Sequence, residues 1–264
     1  MDLELNGKSA LVLASSKGLG KGTAERLFKE GANVLITSRN EDSLKQVVEE
    51  FSEIETPYKN SIDFCVCDLS KVDDINNLIT ETHKKIGTVD ILVNNAGGPK
   101  SGRFEDLTDD DWEKYFYLDL LSYIRVTRQL IPDLKENKGH VINILSSSAK
   151  QPIPNLILSN VYRLGLLGFS KTLSKELGEY GVLVNAISPG RIATDRVQHL
   201  DEVKAENLNK PIDYVQNKSQ ANIPLGRYGK VEEFANVVAF LASNKSSYMN
   251  GSLIVVDGGK TDAF

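Results

Sequence analysis

Cysteine, histidine and surplus basic charge are all scarce in this chain, and each scarcity excludes something. Its 264 residues hold two cysteines and three histidines. Cys65 and Cys67 stand two apart in a strand-like run, on one face and in poor geometry for bridging, so both read as reduced core residues rather than a disulfide framework. His83, His140 and His199 have no ligand spacing to one another or to the cysteines, which speaks against a zinc site, and no metal is expected. Acids outnumber Lys and Arg by 36 to 31, a formal charge of −5. Such a balance argues against nucleic acid or an anionic membrane surface as the main partner. No stretch approaches the ~18 uninterrupted apolar residues of a membrane span, and Met1-Asp-Leu-Glu-Leu5 has neither the basic start nor the apolar run of a signal peptide. A cytoplasmic location follows as an expectation.

What is present is ample core material. Hydrophobic residues make up 41% and charged residues 25% of the chain, which is ordinary soluble globular composition. No low-complexity linker or internal repeat divides it, so residues 1–264 are expected to form one domain. The stretch around which the rest is organised is Ala10-Leu-Val-Leu-Ala14-Ser-Ser-Lys-Gly18-Leu-Gly20. An apolar strand, Ala10 to Leu13, meets a glycine turn that opens a helix near Leu19. Gly18 and Gly20 lack the side chains that would block a phosphate, and the helix start faces it with its positive dipole end. Ala14 is expected to keep a negative φ, since its methyl resists the left-handed region.

Downstream the chain alternates. Strand-like runs occur at Asn33 to Thr37, Ser61 to Cys67, Ile91 to Asn94, His140 to Ile144, Val182 to Ile187 and Ser252 to Val256. Helical patterns lie between them at Asp42 to Phe51, Val72 to Ile86, about Thr108 to Asn137 (entered through Asp109 and Asp110), Asn155 to Tyr180 and Val231 to Leu241. Repeated βαβ units with apolar strands predict an α/β fold, a doubly wound parallel sheet of about seven strands with helices on both faces. Residues 193–222 break the rhythm: polar, charged and proline-marked, they sit where a lid over a cleft would sit.

Several motifs in order resemble the short-chain dehydrogenase/reductase family, in its 3-oxoacyl-acyl-carrier-protein reductase-like branch. Ala14-x-x-x-Gly18-x-Gly20 is similar to its glycine loop, with Leu13 and Ala14 in place of Thr and the first Gly. Asn94-Asn95-Ala96-Gly97 resembles its NNAG signature and Asp68, followed by Leu69, its adenine-contacting aspartate. Pro189-Gly190-Arg-Ile192-Ala-Thr194 resembles the loop that holds the nicotinamide amide. Pro224 to Gly229 and Asp257 to Gly259 resemble its C-terminal signatures. The resemblance implies a single Rossmann-type domain and a cofactor site built from Ala14, Ser16, Lys17, Gly18, Leu19, Gly20, Arg39, Asp68, Leu69, Asn95, Ala96, Gly97, Pro189, Gly190, Ile192 and Thr194. It also implies a homotetramer or homodimer joined through the two long helices.

Cofactor choice follows from charge. Readers of NAD place an acid after the second strand, whereas this strand ends Thr37-Ser38-Arg39 and the glycine loop carries Lys17. Two cations with the hydroxyls of Ser16 and Ser38 suit a 2′-phosphate, so NADP is expected over NAD.

At the active centre the chain departs from the family, which acts through Asn, Ser, Tyr and Lys. Alignment on Arg163-Leu-Gly165 puts Asp119, Ser146, Ser159 and Arg163 in those positions. Serine lacks the acidity of a phenol, and arginine stays charged where lysine would relay a proton. The expected activity is hydride exchange between NADP(H) and a small-molecule carbonyl or alcohol substrate, a 3-oxoacyl thioester or another ketone or sugar-like compound, with altered proton handling. The other reading is a nucleotide-binding sensor or scaffold without turnover. Tyr162, one turn from Ser159, could supply the missing phenol or simply pack; Asp119 and Arg163 could pair; Arg191 and Lys150 are further cleft candidates or solvent-facing charges.

Overall fold

The apolar runs Ser9–Val12, Ile91–Asn94 and His140–Ile144 become strands that are buried along their whole length, because helices cover them from both sides. The structure, a computed structural model, describes residues 1–263. Its strands are β1 (Ser9–Val12), β2 (Asn33–Ser38), β3 (Ile62–Val66), β4 (Ile91–Asn94), β5 (His140–Ile144), β6 (Leu183–Pro189) and β7 (Leu253–Val256). They form one seven-stranded sheet in the order β3-β2-β1-β4-β5-β6-β7, with every pairing parallel.

The helices are α1 (Gly18–Lys29), α2 (Glu41–Ser52), α3 (Val72–Ile86), α4 (Asp109–Phe116), α5 (Ser122–Asn137), α6 (Ile157–Leu177), α7 (Asp195–Leu208), α8 (Ile212–Ala221) and α9 (Val231–Leu241). Strand alternation splits the core in two. Ala10, Val12, Val34 and Ile36 pack with Leu27, Val47 and Val238 of α1, α2 and α9. Leu11, Leu35, Leu92 and Val141 pack with Leu78, Leu130 and Leu173 of α3, α5 and α6 on the other face. The period of two in each strand thus sets two helix layers against one sheet. Both cysteines are free and buried in the second layer.

Three expectations are corrected. The long helix from 108 is not uniform: a π turn, Tyr117–Leu121, separates α4 from α5. It is capped by Thr108, whose hydroxyl accepts the Asp111 N–H, rather than by Asp109 or Asp110. Residues 193–222, expected only to break the rhythm, are mostly helical, with α7 and α8 filling them; their many exposed polar residues hid the pattern. Among the described residues no helix is long and apolar enough to cross a membrane.

Candidate active site

Strand order reverses between β1 and β4, so the loops leaving these two strands part and open a crevice at their carboxyl ends. The first loop is fastened before it turns. Leu13 N–H donates to Val93 O, Ser15 N–H to Thr37 O, and the Ser15 hydroxyl to Val12 O. Ala14 then adopts φ +47°, the left-handed region, contrary to the negative φ expected of it. The turn overrides the side chain's preference, at a strain of roughly 1–2 kcal/mol. Gly20 sits beneath the turn: a Cβ there would lie 2.4 Å from Ala14 O and 2.8 Å from Asn95 Nδ2. Asn95 completes the clasp by donating from Nδ2 to Ala14 O at 3.1 Å.

The resulting cleft holds about 290 Å³. Ser16, Lys17, Ser38 and Arg39 line one end; Gly18 and Leu19 follow; Asn95 to Gly98, Leu118 and Thr194 to Arg196 line the other. Lys17, the N-cap residue of α1, makes no side-chain cap bond, so the helix's first N–H groups face the cleft without a side-chain acceptor. Lys17 and Arg39 are exposed. Cys67 and Leu69 line the wall at this end, and burial pushes the Cys67 thiol up to about 12. Asp68, between them, does not line the cleft, although the charge of Arg39 acts on it. Burial opposes its ionisation, but the Ser70 hydroxyl at 2.8 Å and N–H at 3.1 Å hold its carboxyl below the usual range.

Of the loop after β6, only Thr194 reaches the cleft wall; it also caps α7 by accepting the Val197 N–H. Pro189 ends β6, Gly190 N–H donates to Val256 O, and Ile192 is buried in the core.

The four candidate catalytic residues form two small clusters across the end of β5. Arg163 Nη2 donates to Asp119 Oδ1 at 2.6 Å, and Arg163 Nη1 donates to the Tyr123 hydroxyl at 3.0 Å, which in turn donates to Ile144 O. Asp119 is 0% and Arg163 4% exposed. Asp119 sits in the π turn, and its Oδ2 is buried without a partner among the described residues. Burial outweighs the pull of Arg163 and pushes the Asp119 carboxyl up to about 6. Burial alone would lower Arg163, yet Tyr123 and Asp119 together raise it, so the guanidinium stays charged.

In the second cluster, the Ser146 hydroxyl accepts the Ser148 N–H at 3.2 Å, and the Ser148 and Ser159 hydroxyls share a hydrogen bond of 2.9 Å. Ser148 and Tyr123 were not singled out from the sequence. A serine two residues past Ser146 was the available signal for the first; nothing marked Tyr123.

Tyr162 is a packing residue. Its hydroxyl donates to Trp112 O at 2.7 Å and its ring meets Trp112 edge-on. Arg191 is neither a cleft cation nor a solvent-facing one: it pairs with Asp201, which lies fully buried on the inner face of α7 and also accepts the Tyr228 hydroxyl at 2.8 Å. This ties α7 to the loop that follows β6. Lys150, half-buried at the end of the short turn Ser147–Ala149, does not line the cleft. Nor, among the described residues, is any group of three or more His, Cys, Asp or Glu placed to hold a metal ion. Arg196, missed from sequence because it lay in a segment read as a polar lid, reaches back to Gly98 and Pro99.

The family model described as enoyl-(acyl carrier protein) reductase matches residues 13–261. A 3-oxoacyl-acyl-carrier-protein reductase of Aquifex aeolicus, FabG, is 35% identical over 260 residues, 98% of this chain and 99% of its own. Dehydrogenase/reductase SDR family member 4 of Bos taurus is 34% identical over 259 residues, 97% of this chain and 88% of its own. Among solved structures, L-sorbose reductase from Gluconobacter frateurii complexed with NADPH and L-sorbose superposes with a TM-score of 0.94 at 28% identity, over 100% of both chains.

Proposed function

The chain belongs to the short-chain dehydrogenase/reductase family, and we propose that it is an NADP-dependent oxidoreductase interconverting a small carbonyl compound and its alcohol. The observation that carries this reading is the charge layout of the cleft: Lys17 and Arg39 at one end, the α1 N-terminus in the middle, and the Asp119 and Ser146 clusters beside the other. These residues fit the cofactor. Lys17 and Arg39 would hold the 2′-phosphate, the uncapped start of α1 the pyrophosphate, and Asn95 to Gly97 with Thr194 would bound the nicotinamide end. Bound NADP(H) would supply or accept the hydride.

The chain's own residues do the rest. Ser146 offers a hydroxyl to the carbonyl oxygen. Asp119, held by Arg163, adds a buried carboxyl in the other cluster, pushed up to about 6. General acid catalysis contributes about 10²–10⁴-fold, so a centre without a phenol turns over slowly rather than not at all. The domain spans residues 1–264 with its lid at 193–222, and copies of it pair in the cytosol through α4 to α6, where Phe116, Tyr117, Val161 and Leu164 stand exposed.

A second reading, a nucleotide-binding sensor or scaffold without turnover, is favoured by one observation: Arg163 is sealed under Asp119 and Tyr123. Fluorescence titration with NADPH and NADH tests the common premise. NADPH should bind about tenfold or more tightly than NADH, and Arg39→Asp should reverse that preference. Absence of binding by either carrier refutes both readings. Binding of NADPH with no oxidation across a carbonyl panel leaves the second.

A further inference from the structure

Among the described residues, the reaction end of the cleft carries one cation whose charge no acid takes up by contact. Arg163 is matched by Asp119 and Arg191 by Asp201. Arg196, second residue of α7, makes no ion pair among the described residues, and its neighbour Asp195, which lines the same cleft, does not approach it as one. Instead Nη1 donates to Gly98 O at 2.9 Å and Nη2 to Pro99 O at 3.2 Å. The guanidinium lies close against Gly98: a Cβ there would stand 2.4 Å from Nη2 and 2.6 Å from Cζ. Arg196 is exposed overall, with Asp119 close enough to raise its pKa and Arg163 close enough to lower it.

Resting on the oxidoreductase reading above, we propose that Arg196 sets substrate class, its guanidinium receiving a carboxylate carried on the same molecule as the reacting carbonyl. The substrates are then small oxoacids and their hydroxyacid products. Two of the fork's five N–H donors are engaged by backbone carbonyls, which orients the group in advance and leaves its other edge for a bidentate oxyanion. Its place argues for the substrate's oxyanion over a phosphate of the dinucleotide. Arg196 stands beyond Gly97, beside Asp119 and Arg163, whereas Lys17 and Arg39 occupy the opposite end of the cleft.

The test is calorimetric and needs no turnover. Protein saturated with NADP⁺, which has no hydride to give, is titrated with pyruvate against pyruvamide and acetoacetate against acetoacetamide. In the wild type each carboxylate should bind about tenfold or more tightly than its amide. Arg196→Met removes the charge, and Gly98→Ala displaces the guanidinium while keeping it; both should bring the ratio toward one. Equal or tighter binding of the amides in the wild type overturns the assignment, as does a ratio that survives Arg196→Met. Failure to bind NADP⁺ at all sinks the oxidoreductase reading and this inference with it. A preserved carboxylate preference with no product formed from NADPH removes turnover but leaves Arg196 in its role.

Discussion

Replacing Arg163 by methionine removes the donors to Asp119 at 2.6 Å and to Tyr123 at 3.0 Å. Asp119 then has nothing left, because its other oxygen already lacks a partner. A hydrogen bond to a charged group is worth about 1.5–3 kcal/mol, and breaking one side of a buried ion pair costs about 3–5 kcal/mol. The expected loss is therefore about 3–5 kcal/mol, a large share of the ~5–15 kcal/mol that holds a domain folded. For a chain of 264 residues, unfolding free energy changes by roughly 0.55 kcal/mol per degree near the midpoint, so Tm should fall by about 5–9 °C. Adding Asp119→Leu removes the stranded charge as well. The double variant should return to within about 1.5 kcal/mol of the wild type, because two apolar side chains replace a pair whose desolvation was costly. Calorimetry and urea unfolding at pH 7 read both numbers. Losses that simply add in the double variant would refute the reasoning, since they would mean that the two side chains do not depend on each other.

Two further outcomes follow from the same centre and the first loop. The Asp119 carboxyl is held at about 6 in the folded chain, above its unfolded value of about 3.9, so the folded state takes up the proton first. Relative to Asp119→Asn, the wild type should gain stability as pH falls through 6 toward 4, by up to about 3 kcal/mol, and lose it again as pH rises; a pH-independent difference in urea midpoints would contradict this. Ala14→Gly should relieve the φ +47° strain, offset partly by a looser unfolded chain, for a net gain of about 0.5 kcal/mol. A loss of ~1 kcal/mol or more in the same unfolding assay would show that the methyl is needed for packing.

The sheet and most helix positions were legible because their signal is local. Leu11 and Val12 lie in an apolar run that only a doubly covered strand can bury, and Val72 to Ile86 repeats its apolar residues at helical spacing. The π turn left no trace of that kind, since one surplus residue in a helix changes neither composition nor local spacing enough to be seen. Arg191 and Asp201 stand ten positions apart in a polar stretch. Each alone reads as a solvated charge, and only the folded α7 shows that the carboxylate is buried and the pair shared with Tyr228. In the candidate site, the positions of Asp119 and Arg163 were indicated by alignment, but their burial against Tyr123 depends on how α5 and α6 cross β5, which no single segment encodes. Ala14 failed in the opposite sense: the residue's own preference was clear, and a clasp formed by Asn95 and Gly20, far apart in sequence, overrode it.

The wide turn at Tyr117–Leu121 makes residue number, rather than residue type, the variable to watch in this stretch. Deleting one position there would rewind everything before it by roughly 100° about the axis while Ser122–Asn137 stayed seated on the sheet. Trp112 would leave Tyr162, and Phe116 and Tyr117 would exchange their outward aspect for new neighbours. Indels should therefore be far rarer than substitutions between Asp109 and Ser122 in any lineage that retains this carboxylate at this depth.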